Sequence, residues 1–333
     1  MASETRVEVD GEPFRISSPD RVMFPHQGWT KLDVVNHFLL TGEGALRGVY
    51  GRPTMLKRWP KGADADPFYQ KRAKPGDAME TVEIRFPSQR PGLMRVPRTM
   101  TDVIRMAQLN CLDLNPWNAR AEDIDHPDEM RIDLDPTPDI PFGDVRTVAG
   151  WFHEFLDGHG LASWPKTSGS RGIHIYVRLQ PEWDYYEVRR AVLAAAREAE
   201  RQLEGLATTA WWKEERVGVF VDYNQNARDK TIASAYSVRP TGYVSAPFSW
   251  DELDDITIES FPMVGFAKRW EAIGDPSDGI DEAPGRLESL LELVAEHEAE
   301  GLGDAPWPPH YPKQPGEPPR VQPSKQRRAD DEY

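Results

Sequence analysis

Short apolar segments bounded by glycine, proline or asparagine constrain the fold of this chain more than any other feature. The clearest of them are rich in β-branched or aromatic residues and have the length of strands: MRIDLDP, GIHIYVRL, GVFVDYN, IASAYSVRP and GYVSAPF. Segments with helical periodicity stand before them and between them. This alternation predicts an α/β (α+β) fold built on a mixed sheet.

Apolar residues recur at helical spacing in several segments, which predicts the helices around this sheet. TKLDVVNHFLL and TDVIRMAQL are expected to be capped by Thr30 and Thr101. GDVRTVAGWFHEFLDGHG is expected to end at Gly158 or Gly160, and YYEVRRAVLAAAREAERQLEG has the strongest helical pattern. A last amphipathic helix is predicted from about Arg286 to Glu300.

The 333 residues are enough for one large domain, expected over residues 1–300. We divide it into an N-terminal part to about 120, a core over about 121–280 and a C-terminal helix over about 281–300. Residues 301–333 are rich in proline and charge, which predicts a partly disordered tail, above all beyond about Val321. Trp307 and Tyr311 could instead bring the first part of this tail back onto the domain.

The single cysteine, Cys111, excludes an internal disulfide and a thiolate zinc cluster. The chain has no apolar run of the roughly 20 residues that a bilayer span requires, and its start does not resemble a secretion signal. A cytoplasmic protein without a membrane partner is therefore expected.

The net charge of −15 opposes binding to nucleic acid, which normally uses a basic surface. The segment from Arg47 to Lys74 is the exception, because eight basic residues stand there against two acidic ones. The acidic stretches elsewhere are interpreted as solvated loops and helix faces.

Two carboxylates lie on one face of a predicted strand. In MRIDLDP the side chains of Asp133 and Asp135 point to the same side, while Ile132 and Leu134 point to the other. A cation with oxygen ligands, Mg²⁺ or Mn²⁺, would relieve the repulsion between them. Asp222, at the end of GVFVDYN, is a third carboxylate, and three such groups could hold two metals. A solvated strand end remains the alternative for an isolated D-x-D.

KTSGSRGIHIYV, between the two carboxylate strands, has the composition of a phosphate-binding loop. Gly169 and Gly172 would let backbone N–H groups approach an anion, Ser168 and Ser170 add hydroxyl donors, and Arg171 adds a cation that can bind two phosphate oxygens. The loop is not a P-loop, because it lacks G-x-x-x-x-G-K-[ST] and leads into a strand.

Further polar residues flank these motifs. His174 follows the loop, and a half-buried structural histidine is the alternative to a functional one. Gln225, Lys230 and Arg239 follow Asp222, and we interpret them as phosphate contacts rather than as surface side chains over aromatic neighbours.

The order DLDP, SGSRGIHIYV, VDYNQN, KT and YSVRP resembles the polymerase domain of bacterial ligase D, within the archaeo-eukaryotic primase (primase-polymerase) superfamily. SSPDRVMFPHQGWTK resembles the opening segment of that family, and LKRWPKG with PFYQKR resembles its DNA-end-binding segment. The resemblance runs from about Ile16 to Trp250. It implies a mixed-sheet primase-polymerase catalytic core with flanking helices, preceded by a DNA-end-binding part.

The resemblance implies a role for each matching residue. The catalytic metal ligands would be Asp133, Asp135 and Asp222. The incoming nucleotide would be contacted from the loop and the segments after it, by Ser168, Arg171, His174, Gln225 and Arg239. A pocket for a downstream 5′-phosphate would comprise Arg21, Lys31 and Lys57, and a stacking platform for template bases Phe68 and Tyr69, with Arg58 and Lys71 as basic neighbours. Without those neighbours, core positions would be the preferred interpretation of the two aromatic residues.

The implied reaction is extension of a DNA primer, or filling of a short gap during repair or end joining, by two-metal transfer from an NTP or dNTP. Family members favour Mn²⁺ and often insert ribonucleotides. An end-binding protein and a separate ligase are candidate partners, since the chain has no evident ligase, nuclease or zinc segment and is expected to be a stand-alone relative. A nucleoid-associated location in the cytoplasm follows.

Two positions depart from the family pattern. Arg171 stands where relatives often carry lysine, and Asn115 stands where they commonly carry histidine. Asparagine cannot take a proton at neutral pH, so nucleotide preference and metal dependence do not transfer directly. A metal-dependent phosphohydrolase and a non-catalytic DNA-end-binding module are the competing interpretations.

Overall fold

The computed structural model describes residues 3–308, 311–314 and 317–320. The strands are β1 Glu4–Val9, β2 Glu12–Ser17, β3 Val22–Phe24, β4 Trp29–Thr30, β5 Thr54–Arg58, β6 Phe68–Gln70, β7 Glu80–Arg85, β8 Pro91–Val96, β9 Cys111–Pro116, β10 Glu129–Pro136, β11 Trp164–Thr167, β12 Ile173–Arg178, β13 Ala207–Thr208 and β14 Val219–Val221. The α-helices are α1 Lys31–Leu40, α2 Gly42–Val49, α3 Met100–Gln108, α4 Phe142–Gly158, α5 Tyr185–Gln202, α6 Phe266–Ile273 and α7 Glu288–Ala299. None of the described helices is long and apolar enough to cross a membrane.

A mixed sheet in the order β11-β12-β10-β14-β13 forms the core of the molecule. β10 lies at its centre and pairs antiparallel with both β12 and β14, whereas β13 and β14 are parallel. Ile132 and Leu134 of β10 are fully buried in the hydrophobic core together with apolar residues of α4 and α5. The alternation predicted for MRIDLDP therefore holds, since Asp133 and Asp135 lie on the other face.

A second sheet, with β5 as its hub, lies on the N-terminal side. β5 pairs antiparallel with β6, β8 and β9, and β7 pairs with β8. Helices α1, α2 and α3 pack against one another beside this sheet, and α2 and α3 also contact β9.

The helix starts confirm one predicted cap and correct another. Thr30 caps α1 and exchanges hydrogen bonds with Asp33. α3 begins two residues earlier than predicted and is capped by Thr99, not by Thr101. Thr99 has the extended backbone that a cap requires, and it forms the reciprocal pair with Asp102. Thr101 lies inside the first turn and donates from its N–H and hydroxyl to Asp10.

The segments IASAYSVRP and GYVSAPF are not regular strands, contrary to the sequence prediction. They meet in a single bridge between Val238 and Val244, and the positive φ of Tyr236, 64°, interrupts the extended backbone. The two segments exchange backbone hydrogen bonds, such as Tyr236 N to Ser245 O (2.8 Å). Other backbone groups bond outward: Val238 N donates to Leu112 O of β9 (2.9 Å), and Thr167 N of β11 donates to Ala246 O (3.0 Å). The segment thus ties the two sheets together.

The described residues after α7 pack on α5. Trp307 is buried and stacks on Tyr186, with ring centroids 5.7 Å apart. The guanidinium of Arg189, fully buried, lies 4.1 Å from the Trp307 ring and donates to Asp304 (2.6 Å). The sequence left open whether Trp307 and Tyr311 belong to a disordered tail or pack on the domain. In the structure both are buried against it. The tail predicted beyond Val321 lies outside the described residues.

Replacing Trp307 by alanine should lower the free energy of unfolding by about 3 kcal/mol, because a large buried ring is removed and a buried cation loses its cover. Urea unfolding monitored by circular dichroism measures this change. Phe68→Ala is the matched control: Phe68 is 55% exposed, and its loss should change stability by no more than about 0.5 kcal/mol. Equal stabilities for Trp307→Ala and the wild type would contradict the packing described here.

Candidate active site

A row of polar side chains crosses the centre of the mixed sheet. Asp133 on β10 lies directly opposite His174 on β12, whose Nε2 is 3.4 Å from Asp133 Oδ1. On the other side Asp222 follows β14 at once, and its backbone N–H donates to Asp133 O (2.9 Å). Pairing of three neighbouring strands thus places His174, Asp133 and Asp222 side by side, and Asp135 projects from the same face of β10.

Gln225 connects two of the carboxylates. Its Nε2 donates to Asp133 Oδ2 (3.1 Å) and lies 3.4 Å from Asp222 Oδ2. Asp222 caps the short 3-10 turn Tyr223–Asn226 by accepting from Asn224 N (3.0 Å). Asn224 is held from behind by Arg189 Nε (2.8 Å), the residue that also binds the segment around Trp307. The position of Asp222 therefore depends on α5 and on the chain after α7.

The carboxylates destabilise one another. Burial, together with the charges of Asp222 and Asp135, raises the pKa of Asp133 to about 7. Burial likewise raises the pKa of Asp222, although the nearby cation of Lys230 opposes this rise. The raised pKa values mean that the ionised carboxylates are unfavourable in this site. A bound cation would stabilise their ionised form.

The residues present fit a divalent metal. Three carboxylates supply hard oxygen ligands, and Gln225 Oε1 is buried without a hydrogen-bond donor among the described residues. Within the same residues, no three acidic, histidine or cysteine side chains are already gathered at metal-binding spacing. Asp133, Asp135 and Asp222 would hold the ion.

The loop after β11 folds onto its own first serine. Ser168 Oγ accepts hydrogen bonds from the backbone N–H groups of Ser170 (3.1 Å) and Gly172 (3.0 Å). A Cβ on Gly172 would meet Leu134 O at 2.2 Å, and one on Gly169, whose φ is +67°, would meet Arg239 at 2.5 Å. The two glycines therefore permit close packing against β10 and Arg239, a reason that the sequence prediction of an open anion cradle did not include. Arg171 is exposed at the mouth of the loop.

Residues from the second sheet form the opposite wall. Lys57 Nζ pairs with Asp113 Oδ2 (3.1 Å), and Arg239 Nε lies 3.8 Å from the same oxygen. Asn115 donates from Nδ2 to Asp113 Oδ1 (2.8 Å). Asp113, only 1% exposed, thus holds two cations over the cleft. It was missed in the sequence, although its position two residues before Asn115 places both on one face of β9.

Lys166 of β11 is a second residue that the sequence analysis missed. Its ammonium is buried, and Nζ lies 2.7 Å from His174 Nδ1. Burial lowers the pKa of Lys166 well below its usual value, and Arg239 adds to this effect. Burial and the charges of Lys166 and Arg239 likewise lower the pKa of His174. The sequence feature that could have revealed Lys166 is its position in an otherwise apolar segment directly before the serine-glycine loop.

These walls line an open cleft whose empty space, including the part open to solvent, is about 820 Å³. Its lining combines acidic, basic and neutral polar side chains, including Lys57, Asp113, Asn115, Asp133, Asp135, Ser168, Arg171, His174, Gln225 and Arg239. A cleft with carboxylates on one wall and cations on the other suits a polyanionic ligand bound together with metal ions.

The predicted 5′-phosphate residues are not all neighbours. The charges of Arg21 and Arg58 lie close enough to Lys31 to help burial lower its pKa to about 8. Lys31 Nζ donates to Ser17 O (2.9 Å) and Arg58 Nε to Leu109 O (2.8 Å), which are neutral acceptors. Lys57, predicted to complete this group, instead points from the other face of β5 into the cleft. The structure therefore clusters Arg21, Lys31 and Arg58.

Phe68 and Tyr69 lie on β6, where they pair with Arg58 and Lys57 of β5. They are 55% and 58% exposed, so they are surface residues and not the core residues of the alternative interpretation. Lys71, next along the chain, pairs with Asp229 (2.5 Å).

Much of the basic run is internally neutralised. Arg47 pairs with Asp275 and Arg52 with Asp128, in addition to the pairs of Lys57 and Lys71. The excess of positive charge that the sequence suggests for this segment is therefore only partly available at the surface.

A mixed sheet whose central strand presents carboxylates to a cleft with cations on its opposite wall is typical of proteins that transfer phosphoryl or nucleotidyl groups. Residues 30–277 match the family described as LigD, primase-polymerase domain. The chain belongs to this family, and the resemblance, the fold class and the nucleotidyltransferase class predicted from the sequence are confirmed. Members of the family depend on metal.

Similar proteins agree with this membership. The multifunctional non-homologous end joining DNA repair protein LigD of Mycobacterium tuberculosis is 31% identical over 85% of this chain and 38% of that protein. The LigD protein of Mycolicibacterium smegmatis is 29% identical over 82% and 37%. The chain thus spans under two fifths of the length of these relatives. The solved polymerase domain of M. tuberculosis ligase D in complex with DNA matches with a TM-score of 0.74, at 27% identity over 81% of this chain and 98% of that one.

The raised pKa of Asp133 predicts how stability depends on pH in metal-free protein. The pKa is about 7 in the folded state against an ordinary 3.8, so between these values the folded state retains a proton that the unfolded chain has lost. Stability therefore falls as pH rises through this window. Asp133→Asn should be more stable than the wild type by on the order of 2 kcal/mol at about pH 8, and the difference should shrink toward about pH 4.

Urea unfolding in the presence of a chelator measures both proteins across this range. Asp139→Asn is the control, since Asp139 is exposed on the loop after β10 and should show no such difference. Added Mn²⁺ should stabilise the wild type and not Asp133→Asn. A wild type as stable as Asp133→Asn at about pH 8 would contradict the repulsion between the carboxylates.

Proposed function

We propose that this chain extends DNA primers and fills short gaps at DNA ends during repair, transferring nucleotides from an NTP or dNTP with Mn²⁺ or Mg²⁺ held by Asp133, Asp135 and Asp222. A cytoplasmic, nucleoid-associated location follows from this role. An end-binding protein and a separate ligase are the expected partners. The observation that carries the proposal is the row of His174, Asp133 and Asp222 across three adjacent strands, facing the cations of the opposite wall.

The metals would supply charge neutralisation and activation of the primer hydroxyl. The contribution of the chain is mostly positioning. Arg171 and Arg239 would bind phosphate oxygens of the nucleotide from the loop side, and Lys57 would bind them from β5. Ser168, Gly169, Ser170 and Gly172 shape the loop so that Arg239 packs against it. Gln225 and Lys230 would hold the Asp222 side of the site in place.

DNA would lie along the second sheet. Phe68 and Tyr69 form an exposed aromatic pair beside basic residues of β5, an arrangement that stacks on unpaired bases. Arg21, Lys31 and Arg58 would bind a 5′-phosphate, because Lys31 and Arg58 donate to neutral acceptors and the charges of both arginines help burial to lower the pKa of Lys31. Lys71 would contribute through its charge beside the platform.

Asp135→Asn should reduce nucleotide addition by at least about a hundredfold, because it removes a metal ligand from the reaction. DNA affinity should stay within about twofold, because the carboxylate binds metal and not DNA. Incorporation of labelled nucleotide into a primer-template measures the first effect and fluorescence anisotropy the second. Asp139→Asn, on the neighbouring loop, should behave like the wild type.

The same assay separates the competing functions. Phosphate release from a phosphomonoester without incorporation would indicate a phosphohydrolase. Binding of DNA ends without either reaction, in the presence of Mn²⁺ or Mg²⁺, would indicate an end-binding module. Retention of wild-type incorporation by Asp135→Asn would show that the carboxylates are misassigned.

A 5′-phosphate on the downstream strand of a short gap should strengthen binding by about tenfold, the effect of one charge-assisted contact. Arg21→Gln should remove most of this difference. Arg6→Gln is the matched control, because Arg6 is an exposed arginine on β1 outside the cluster, and it should preserve the difference. Anisotropy at fixed salt measures all three proteins. Equal wild-type affinities for phosphorylated and unphosphorylated gaps would reject the pocket.

A further inference from the structure

The guanidinium of Arg189 lies between the 3-10 turn of the candidate site and the chain after α7. Arg189 is fully buried on α5, and its Nε donates to Asn224 Oδ1 (2.8 Å). On the other side Nη1 donates to Asp304 Oδ1 (2.6 Å), and Nη2 donates to the carbonyl oxygens of Ala305 (2.9 Å) and Pro306 (3.2 Å). One side chain therefore joins the chain after α7 to the turn.

Asp304 supplies the counterion that this buried cation requires. Among the described residues, it is the only acidic residue that forms an ion pair with Arg189. Its side chain is 5% exposed and is held by two further donors, Ala305 N at Oδ1 (2.7 Å) and Trp307 Nε1 at Oδ2 (2.7 Å). A buried cation without a counterion is strongly unfavourable. The hydrogen bond from Arg189 to Asn224 therefore depends on Asp304.

Asn224 connects Arg189 to the carboxylate of Asp222. The backbone N–H of Asn224 donates to Asp222 Oδ1 (3.0 Å). Tyr223, between the two residues, is fully buried, and the Arg189 guanidinium lies 5.1 Å from the centre of its ring. The other oxygen, Asp222 Oδ2, lies 3.4 Å from Nε2 of Gln225, which lines the cleft. The contacts of the turn thus determine which carboxylate oxygen is available to a cation.

The counterion of Arg189 lies outside the part of the chain that the family model describes. The matched residues, 30–277, contain the turn and Arg189 but not Asp304. Residues 304–307, which we call the C-terminal segment, come after α7. The elements common to the family are therefore completed here by a contact from beyond the matched region.

We propose that the C-terminal segment is a positioning element of the metal site: Asp304 holds Arg189 against Asn224, and this contact sets the affinity of Asp222 for a divalent cation. The inference rests on the proposed function only in taking Asp222 as a metal ligand. Coupling between two sites is reciprocal, so a cation bound at Asp222 also strengthens the attachment of the C-terminal segment.

Binding of Mn²⁺ alone to the metal-free full chain, measured from the electron paramagnetic resonance of the free ion, tests this coupling. Asp304→Asn should weaken binding by about tenfold, because partners that orient metal ligands typically change metal affinity by about tenfold or more. Glu298→Gln is the matched control: it removes a carboxylate of α7 that pairs with Arg190, the residue next to Arg189, and should bind Mn²⁺ as the wild type does. Equal affinities for Asp304→Asn and the wild type would overturn the proposal.

Phe38→Ala separates positioning from a general loss of stability. Phe38 is fully buried on α1, which packs on α2, α3 and α6, and its truncation leaves a cavity that destabilises the fold. The folded fraction of this variant should nevertheless bind Mn²⁺ with wild-type affinity. A loss of affinity equal to that of Asp304→Asn would show that metal binding follows overall stability and not the C-terminal segment.

Hydrogen exchange gives a second test that needs no variant of the C-terminal segment. Saturating Mn²⁺ should slow exchange of the backbone amides of Ala305 and Trp307 in the wild type by up to about tenfold, the reciprocal of the effect on metal affinity. In Asp222→Asn the same Mn²⁺ concentration should leave these rates unchanged. Wild-type rates that do not respond to Mn²⁺ would overturn the coupling.

These results are distinguishable from failure of the proposed function. Weaker Mn²⁺ binding by Asp304→Asn in a protein that adds no nucleotide would keep the coupling and reject nucleotidyl transfer. Nucleotide addition with a Mn²⁺ affinity that does not depend on Asp304 would reject only the role of the C-terminal segment. Equal Mn²⁺ affinities for the wild type and Asp222→Asn would reject both the metal ligand and the coupling.

Discussion

Repulsion between neighbouring carboxylates is the constraint on which the rest of this structure depends. Antiparallel pairing of β10 with β14 brings Asp222 against Asp133, and the pleat of β10 adds Asp135 to the same face. Burial, together with the charges of Asp222 and Asp135, raises the pKa of Asp133 to about 7, which expresses the cost of this arrangement without a cation. A fold that keeps such a group in place gains stability when metal binds, and the surrounding residues can be understood as the means of holding the carboxylates ready for it.

Those means act from several sides. Gln225 donates from its side-chain amide to Asp133 and lies close to Asp222. The turn that follows Asp222 is held by the hydrogen bond from Arg189 to Asn224. On the facing wall a buried acid, Asp113, pairs with Lys57 and lies near Arg239, and both cations line the cleft. On the proposed function, the cations would meet phosphate and the acids would meet metal. The segment of residues 232–248 ties the two sheets that carry these opposite charges.

The sequence predicted the elements whose signals are local. Period-two alternation gave the face of Asp133 and Asp135, helical periodicity gave α1, α4, α5 and α7, and family motifs gave the residues of the cleft. What it missed depends on tertiary contacts. Thr99 and Thr101 are both possible caps until Asp10 binds Thr101. The left-handed backbone of Tyr236 and the hydrogen bonds to β9 and β11 override the strand propensity of residues 232–248. Lys57 and Arg58 are adjacent in sequence, but successive side chains of a strand point to opposite faces. Lys57 therefore faces the cleft, and Arg58 lies with Arg21 and Lys31.

Anomalous diffraction from crystals grown with Mn²⁺ and a non-hydrolysable nucleotide tests the central claim most directly. The account predicts manganese bound by oxygens of Asp133 and Asp222, with Asp135 as a further ligand, and a triphosphate between this site and Arg239. Manganese bound elsewhere, or a nucleotide bound without any metal at these carboxylates, would contradict it.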